Sequence, residues 1–225
     1  LADNLRVIDK VRKATGAEII VALKANAMWS IFPELSRHSD GATASSLAEA
    51  RLVFEEYGAP AHTYAPVDSA KAADTGVEGM GYAIPINTAS PILDELMNRI
   101  GEILNCSNHI TFNSLGQYER FGRRAHRAGV SCGLRVNPEF STVEPDLYNP
   151  ASPTSRLGIL AADLTHLPEG IDGLHFHSLC ESRPDDLRGT LAAVEERFGR
   201  FFPQIKWLNM GGGHLMTHKD YDEEE

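Results

Sequence analysis

At 225 residues, 42% hydrophobic and 23% charged, the chain has the composition of a globular protein large enough to bury a substantial core. Its net charge of 21 − 31 = −10, with Lys and Arg scattered, excludes the basic stripe that tracks nucleic acid, and no apolar run reaches the roughly 20 residues that cross a bilayer. Three well-separated cysteines (Cys106, Cys132, Cys180) outside any C-x-x-C pattern exclude a disulfide framework or thiolate zinc site and favour a reducing cytoplasm.

The chain opens at Leu1 in a helical pattern with no secretory signal. Ile19-Ile20-Val21-Ala22-Leu23 then reads as a strand buried on both faces, with Lys24 directly after it. Ser46-x-x-Glu49 is a capping box before Leu47, Ala50, Val53, Phe54 and Tyr57, whose spacing suits one helical face. A strand is expected at residues 62 to 65. Residues 68 to 106 are irregular, with several glycines and a helix from Pro91 to Leu104 but no clear strand. Further strands are expected at residues 110 to 112, 132 to 136, 173 to 177 and 206 to 209. Between them, Ser114-x-x-Gln117 opens a second capped helix carrying Leu115, Tyr118, Phe121 and Ala125, and Leu187, Leu191, Val194 and Phe198 mark a third. Residues 137 to 155 hold Pro138, Pro145, Pro150 and Pro153 and read as a long ordered loop, of a length that is usually functional or mobile. About six or seven βα units account for most of a (β/α)8 TIM-type barrel.

In such barrels, chemistry gathers at the C-terminal ends of the strands. Lys24 stands at one: the ordinary reading is a lysine reaching solvent, the functional one a partly desolvated amine able to form a Schiff base. Gly211-Gly212-Gly213 follows another strand and allows backbone N–H groups to turn toward an anion, a phosphate above all; a plain flexible loop is the alternative. His175 and His177 alternate with Leu174 and Phe176, so both imidazoles share a strand face, where they could bind a metal or stack on a cofactor ring. Arg135, a charge inside an apolar strand, needs a carboxylate, a phosphate or a ring nitrogen. Arg156, closing the proline-rich loop, is either a surface residue or a clamp for a substrate carboxylate. Cys180 and Glu181 lie just past the histidine strand, by default a buried thiol and a solvated carboxylate.

Five motifs in order then resemble the carboxynorspermidine/carboxyspermidine decarboxylases, in the alanine racemase and ornithine decarboxylase group: residues 22 to 30 (ALKANAMWS), 132 to 139 (CGLRVNPE), 155 to 158 (SRLG), 173 to 181 (GLHFHSLCE) and 207 to 214 (WLNMGGGH). The resemblance covers nearly everything outside residues 68 to 106. It implies a homodimeric pyridoxal-phosphate enzyme built from a barrel and a β-rich domain. Lys24 is then the Schiff-base lysine, His177 the imidazole packed on the cofactor ring, Arg135 the strand arginine near it, and Gly211, Gly212 and Gly213 the phosphate loop. Arg156, with Cys180 and Glu181, falls in the substrate-binding part, and no metal is needed. The implied reaction removes carbon dioxide from carboxynorspermidine or carboxyspermidine to give norspermidine or spermidine.

The chain starts without Met and stops at Asp222-Glu223-Glu224-Glu225, so a barrel fragment is expected, lacking its last strand and the β-rich domain and inactive by itself. Rival readings are a diaminopimelate- or ornithine-type decarboxylase, a metal-dependent hydrolase using His175, His177, His214 and Lys24, and a non-catalytic cofactor carrier.

Overall fold

The computed structural model describes residues 1–25, 27–59, 61–63, 99–143, 149–152 and 154–215. The first part of the helix expected from Pro91 to Leu104 and most of the irregular 68 to 106 stretch lie outside the described residues, as does part of the proline-rich loop; the end of that helix is described and is helical. The chain divides into two compact units, Leu1–Phe112 with Glu119–Ser131, and Asn113–Tyr118 with Cys132–Glu225.

In the first unit, helix α1 (Ala2–Thr15) precedes strand β1 (Ile20–Ala22), and a 3-10 turn at Trp29–Ile31 leads into α2 (Phe32–Leu35). Strand β2 (Gly41–Ala44), helix α3 (Leu47–Leu52) and β3 (Ala61–Thr63) follow, then helix α4, described over residues 99 to 105, and β4 (Ser107–Phe112). Strands β1 to β4 pair consecutively and in parallel, with Ala22, Thr43, His62 and His109 in one cross-strand row. The opposite face buries Leu23, Ala42, Ala44 and Ala61 against Leu5, Phe32, Ala50 and Val53 of the helices, a single apolar core. Asp40 ties this layer together. It accepts from the Ile19 N–H at 2.8 Å and from Arg12 Nε at 2.8 Å, and the Arg12 guanidinium holds its carboxyl below the usual carboxylate range.

β2 has no counterpart among the expected strands. Its sequence, Gly-Ala-Thr-Ala, lacks the branched and aromatic residues that announce a strand, yet all four residues are buried because only small side chains fit between its neighbours. β1 departs the other way: its residues are half-buried where burial on both faces is expected. Among the described residues of this unit β1 pairs along one edge, with β2, which leaves its other edge less covered. The capping box at Ser46 forms, with Glu49 N–H on Ser46 Oγ at 3.2 Å and the Glu49 carboxylate on Ser45 N–H at 2.6 Å. Phe54, however, is exposed, because the helix widens to π geometry over Val53–Tyr57 and an α-helical spacing count no longer places it beside Val53 and Tyr57.

Helix α5 (Leu115–Arg127) starts in the second unit and continues in the first, with Phe121 and Ala125 buried as its periodicity predicts. In the second unit β5 (Ser131–Arg135), β6 (Ile171–His175) and β7 (Trp207–Asn209) pair in parallel, and α6 (Pro184–Phe198) buries Val194 and Phe198. Gly133, Gly173 and Trp207 form one row, and Arg135, His175 and Asn209 form the row two residues further on, on the same face. The indole of Trp207 lies across both glycines: a Cβ would fall 2.2 Å from it at Gly133 and 2.0 Å at Gly173. Trp207 is thus the floor beneath the polar row, and the glycines are the space it occupies. Gly173→Ala is expected to lower unfolding stability by about 3 kcal/mol or more through overpacking, with partial recovery in the Gly173→Ala, Trp207→Leu double variant. Urea titration measures both, and a fully stable Gly173→Ala protein would refute this packing.

No helix among the described residues is long and apolar enough to cross a membrane.

Candidate active site

Beyond the ends of β5, β6 and β7, the second unit assembles most of the residues singled out in the sequence. Arg135, half-buried at the end of β5, donates from Nη2 to the carbonyl oxygen of His177 at 3.1 Å. The rings of His175 and His177 lie 6.4 Å apart at 19°, although the strand expected over residues 173 to 177 ends at His175 and His177 stands beyond it. They differ sharply in setting. His175 is buried, and its pKa falls to about 3, first through desolvation and then through repulsion from the Arg135 cation, so it is neutral at physiological pH. His177, half-buried beyond the strand end, accepts the Gly212 N–H at Nδ1 over 3.2 Å. With Nδ1 an acceptor, neutral His177 carries its proton on Nε2.

The glycine loop requires glycine at two of its three positions. Gly211 has φ +71 and a Cβ there would meet the Phe176 carbonyl oxygen at 2.6 Å; Gly213 has φ +107 and a Cβ would lie 2.3 Å from the Leu179 carbonyl oxygen. Gly212 faces open space, with nothing within 4 Å of a Cβ. The expected fan of N–H groups is only partly outward: Gly211 donates to Asn209 Oδ1 at 2.8 Å and Gly212 to His177. Asn209, unremarked in the sequence, therefore shapes the loop from the polar row.

Cys180 and Glu181 are both exposed, so the default reading of a buried thiol fails. Glu181 adopts φ 50, uncommon for a residue with a side chain. The buried Ser182 holds that turn: its Oγ accepts from Cys180 N–H at 3.1 Å, and its N–H donates to the Gly213 carbonyl oxygen at 2.8 Å. The glycine loop and the Cys180-Glu181 turn are therefore one hydrogen-bonded piece. Arg156 is exposed, and its peptide is gripped by Asn113, which the sequence did not mark.

In the first unit, Lys24 lies in the turn that closes β1, where Ala25 N–H returns to the Ala22 carbonyl oxygen at 3.1 Å. Leu23, the first residue past β1, is buried toward the helices, and Lys24 follows it in the turn. Lys24 is exposed, in line with the ordinary of its two readings, and the strand ends two residues before it. The face of the sheet away from the helix-side core carries the stacked rings of His62 and His109, 3.8 Å apart at 26°. Burial, then the neighbouring imidazole, lowers the His62 pKa to about 4. Neither histidine of this pair was singled out, since each occurs alone in its strand and only pairing β3 with β4 joins them.

Among the described residues no group of three or more His, Cys, Asp or Glu could hold a metal ion. Both depressed histidines predict a stability profile. The unfolded chain binds their protons below about pH 6.5 while the folded chain does not, so stability is full above that value and falls as pH drops toward 4 and then 3. For His175 the loss between pH 7 and 4.5 is about 2–3 kcal/mol. Urea midpoints across that range should fall accordingly, and His175→Gln should flatten the slope; a slope unchanged by that substitution would contradict the assignment.

No family model matches the chain. A carboxyaminopropylagmatine decarboxylase of Synechocystis sp. is 43% identical over 223 residues, covering 99% of this chain and 51% of that protein. A carboxynorspermidine/carboxyspermidine decarboxylase of Campylobacter jejuni is 36% identical over 226 residues, covering 100% and 52%. The crystal structure of carboxynorspermidine decarboxylase from Campylobacter jejuni, complexed with norspermidine, matches with a TM-score of 0.77 at 34% identity over 99% of this chain and 50% of that one. Diaminopimelate decarboxylase from Helicobacter pylori, at 14% identity and a TM-score of 0.67, shares the fold. The chain spans about half the length of the curated relatives it matches, and along its own whole length it is homologous to them.

Proposed function

We propose that this chain is the barrel portion of a pyridoxal-phosphate-dependent decarboxylase of carboxylated polyamines, with carboxynorspermidine or carboxyspermidine as substrate and polyamine synthesis as its context. The observation that carries the reading is the single hydrogen-bonded assembly of His177, Arg135 and the Gly211-Gly212-Gly213 loop beyond β6 and β7. Homology over the whole chain to decarboxylases of this substrate class supports it. In the full-length protein, a β-rich domain outside this chain and a second subunit would complete the site.

The residues present fit the cofactor. Gly211 and Gly213 bring backbone close to neighbouring backbone where any Cβ would collide, and the open side of Gly212 leaves room for a phosphate. The Gly212 N–H and the His177 imidazole, which meet at 3.2 Å, would hold the phosphate and the ring of the cofactor respectively. Arg135, anchored on the His177 carbonyl, would hold that segment and bring positive charge to the ring edge. Neutral, buried His175 adds no competing cation. Lys24 would be the amine that holds the cofactor. Arg156 would pair with the substrate carboxylate, and exposed Glu181 with a substrate ammonium group. When bound, pyridoxal phosphate supplies an electron sink for the pair left by departing carbon dioxide.

The 43%-identical relative is named for carboxyaminopropylagmatine, so that compound is the second candidate substrate. The test is carbon dioxide release by the full-length protein, loaded with pyridoxal phosphate, on a panel of carboxynorspermidine, carboxyspermidine, carboxyaminopropylagmatine, diaminopimelate and ornithine. Turnover of a carboxylated polyamine at least about 100-fold better than the two amino acids is expected, equivalent to about 2.7 kcal/mol of discrimination. Preference for diaminopimelate or ornithine, or no turnover of any compound, would overturn the reading.

A further inference from the structure

The stretch from Ser155 to Ile159 is held by backbone partners on nearly every residue, and the group that spans its centre is the Asn113 carboxamide. Asn113 Nδ2 donates to the Arg156 carbonyl oxygen at 2.8 Å, and Asn113 Oδ1 accepts from the Gly158 N–H at 3.0 Å. One side chain thus bonds the peptides on both sides of Leu157, and a donor on one side with an acceptor on the other fixes its amide orientation. Asn113 is itself fixed, since its N–H donates to Gln117 Oε1 at 2.7 Å within the cap of α5. The far side of the stretch is just as constrained: Gly158, at φ +92, lies against the Val136 to Asn137 peptide, where a Cβ would come within 2.7 Å of Val136 C. Ile159 N–H then donates to the Arg135 carbonyl oxygen at 2.9 Å. The Arg156 side chain is left exposed on a backbone that cannot drift.

We infer that Asn113 is a positioning residue for Arg156, setting where its guanidinium meets the carboxylate of the substrate. The inference rests on the proposed carboxylate-binding role of Arg156. A long arginine held by its own backbone loses less freedom on binding than one on a loose loop, and binding of the charged group tightens accordingly. Asn113 touches no substrate atom in this arrangement; it acts through the peptide of Arg156.

Asn113→Asp is isosteric, keeps the acceptor for Gly158 and places a carboxylate oxygen against the Arg156 carbonyl, so it breaks one of the two bonds. Asn113→Ala removes both. In the full-length enzyme with carboxynorspermidine, Asn113→Asp is expected to raise KM about 10-fold with kcat within about 2-fold. Inhibition by norspermidine, which lacks the carboxylate, should stay within about 2-fold of the parent. In an Arg156→Ala background the same substitution should add nothing, since the two act on one contact. A KM unchanged by Asn113→Asp while Arg156→Ala raises it, or equal weakening of norspermidine, overturns the inference; a KM unchanged by Arg156→Ala instead overturns the role of Arg156. Limited trypsin digestion reads the tether without activity: both Asn113 variants should be cut after Arg156 about 10-fold faster, with other sites unchanged. Unchanged cleavage there refutes the tether even if a variant is inactive.

Discussion

Replacing Lys24 with alanine in the full-length protein is expected to lower decarboxylation by about 10³-fold or more, the largest effect of any substitution considered. Position gives the reason: β1 ends at Ala22, Leu23 is committed to the helix-side core, and Lys24 follows in an exposed turn at the strand end. An amine there has the reach and exposure to attack an aldehyde, and no neighbouring residue supplies a second one, since Ala25 and Asn26 follow. Two readouts separate loss of chemistry from loss of fold. The visible absorbance of protein-bound pyridoxal phosphate should vanish in Lys24→Ala while the circular dichroism spectrum is retained. Borohydride reduction of the parent, followed by peptide mapping, should leave the pyridoxyl group on the peptide containing Lys24. A label on Lys10, Lys13 or Lys206 would remove Lys24 from its proposed role.

Gly213→Ala should be the second most damaging change. The residue adopts φ +107, which side-chain-bearing residues rarely adopt, and its Cβ would lie 2.3 Å from the Leu179 carbonyl oxygen, a backbone atom that no rotamer change can move. Relief requires the loop to leave the Cys180 to Ser182 turn, breaking the 2.8 Å bond from Ser182 N–H to the Gly213 carbonyl. Affinity for pyridoxal phosphate should fall about 100-fold, corresponding to about 2.7 kcal/mol, and the transition toward unfolding should move to lower urea. Gly212→Ala is the matched control. Nothing stands within 4 Å of its Cβ and its φ is not in the left-handed range, so the fold should tolerate it. Equilibrium titration of the cofactor into the three proteins decides the matter; equal affinity for parent and Gly213→Ala would show that the loop does not cradle the phosphate.

Much of the fold was legible because it rests on local rules. Both capping boxes form around Ser46 and Ser114, and Phe121, Ala125, Val194 and Phe198 are buried as their spacing required. Even so, reciprocity differs from the simplest scheme: Glu49 and Gln117 reach the N–H of Ser45 and Asn113, one residue before the caps. β2 escaped because its burial comes from neighbours and not from its own side chains. Phe54 was misplaced because a π-turn changes the residue count per turn, and nothing in the spacing of apolar residues reports where a helix widens.

The amino-acid sequence by itself determined the parallel βα rhythm, the candidacy of Lys24, Arg135, His177 and the three glycines, and the family resemblance. These depend on residue type at a strand end, and strand ends follow from hydrophobic runs. Only the tertiary structure decided which partners those residues have. It paired His62 with His109, laid Trp207 over two glycines, gave Gly212 to His177 and set Asn113 beneath Arg156. These contacts join residues from 34 to 74 positions apart. Contacts at such separations are fixed by strand register and backbone curvature, which no local pattern of residues encodes.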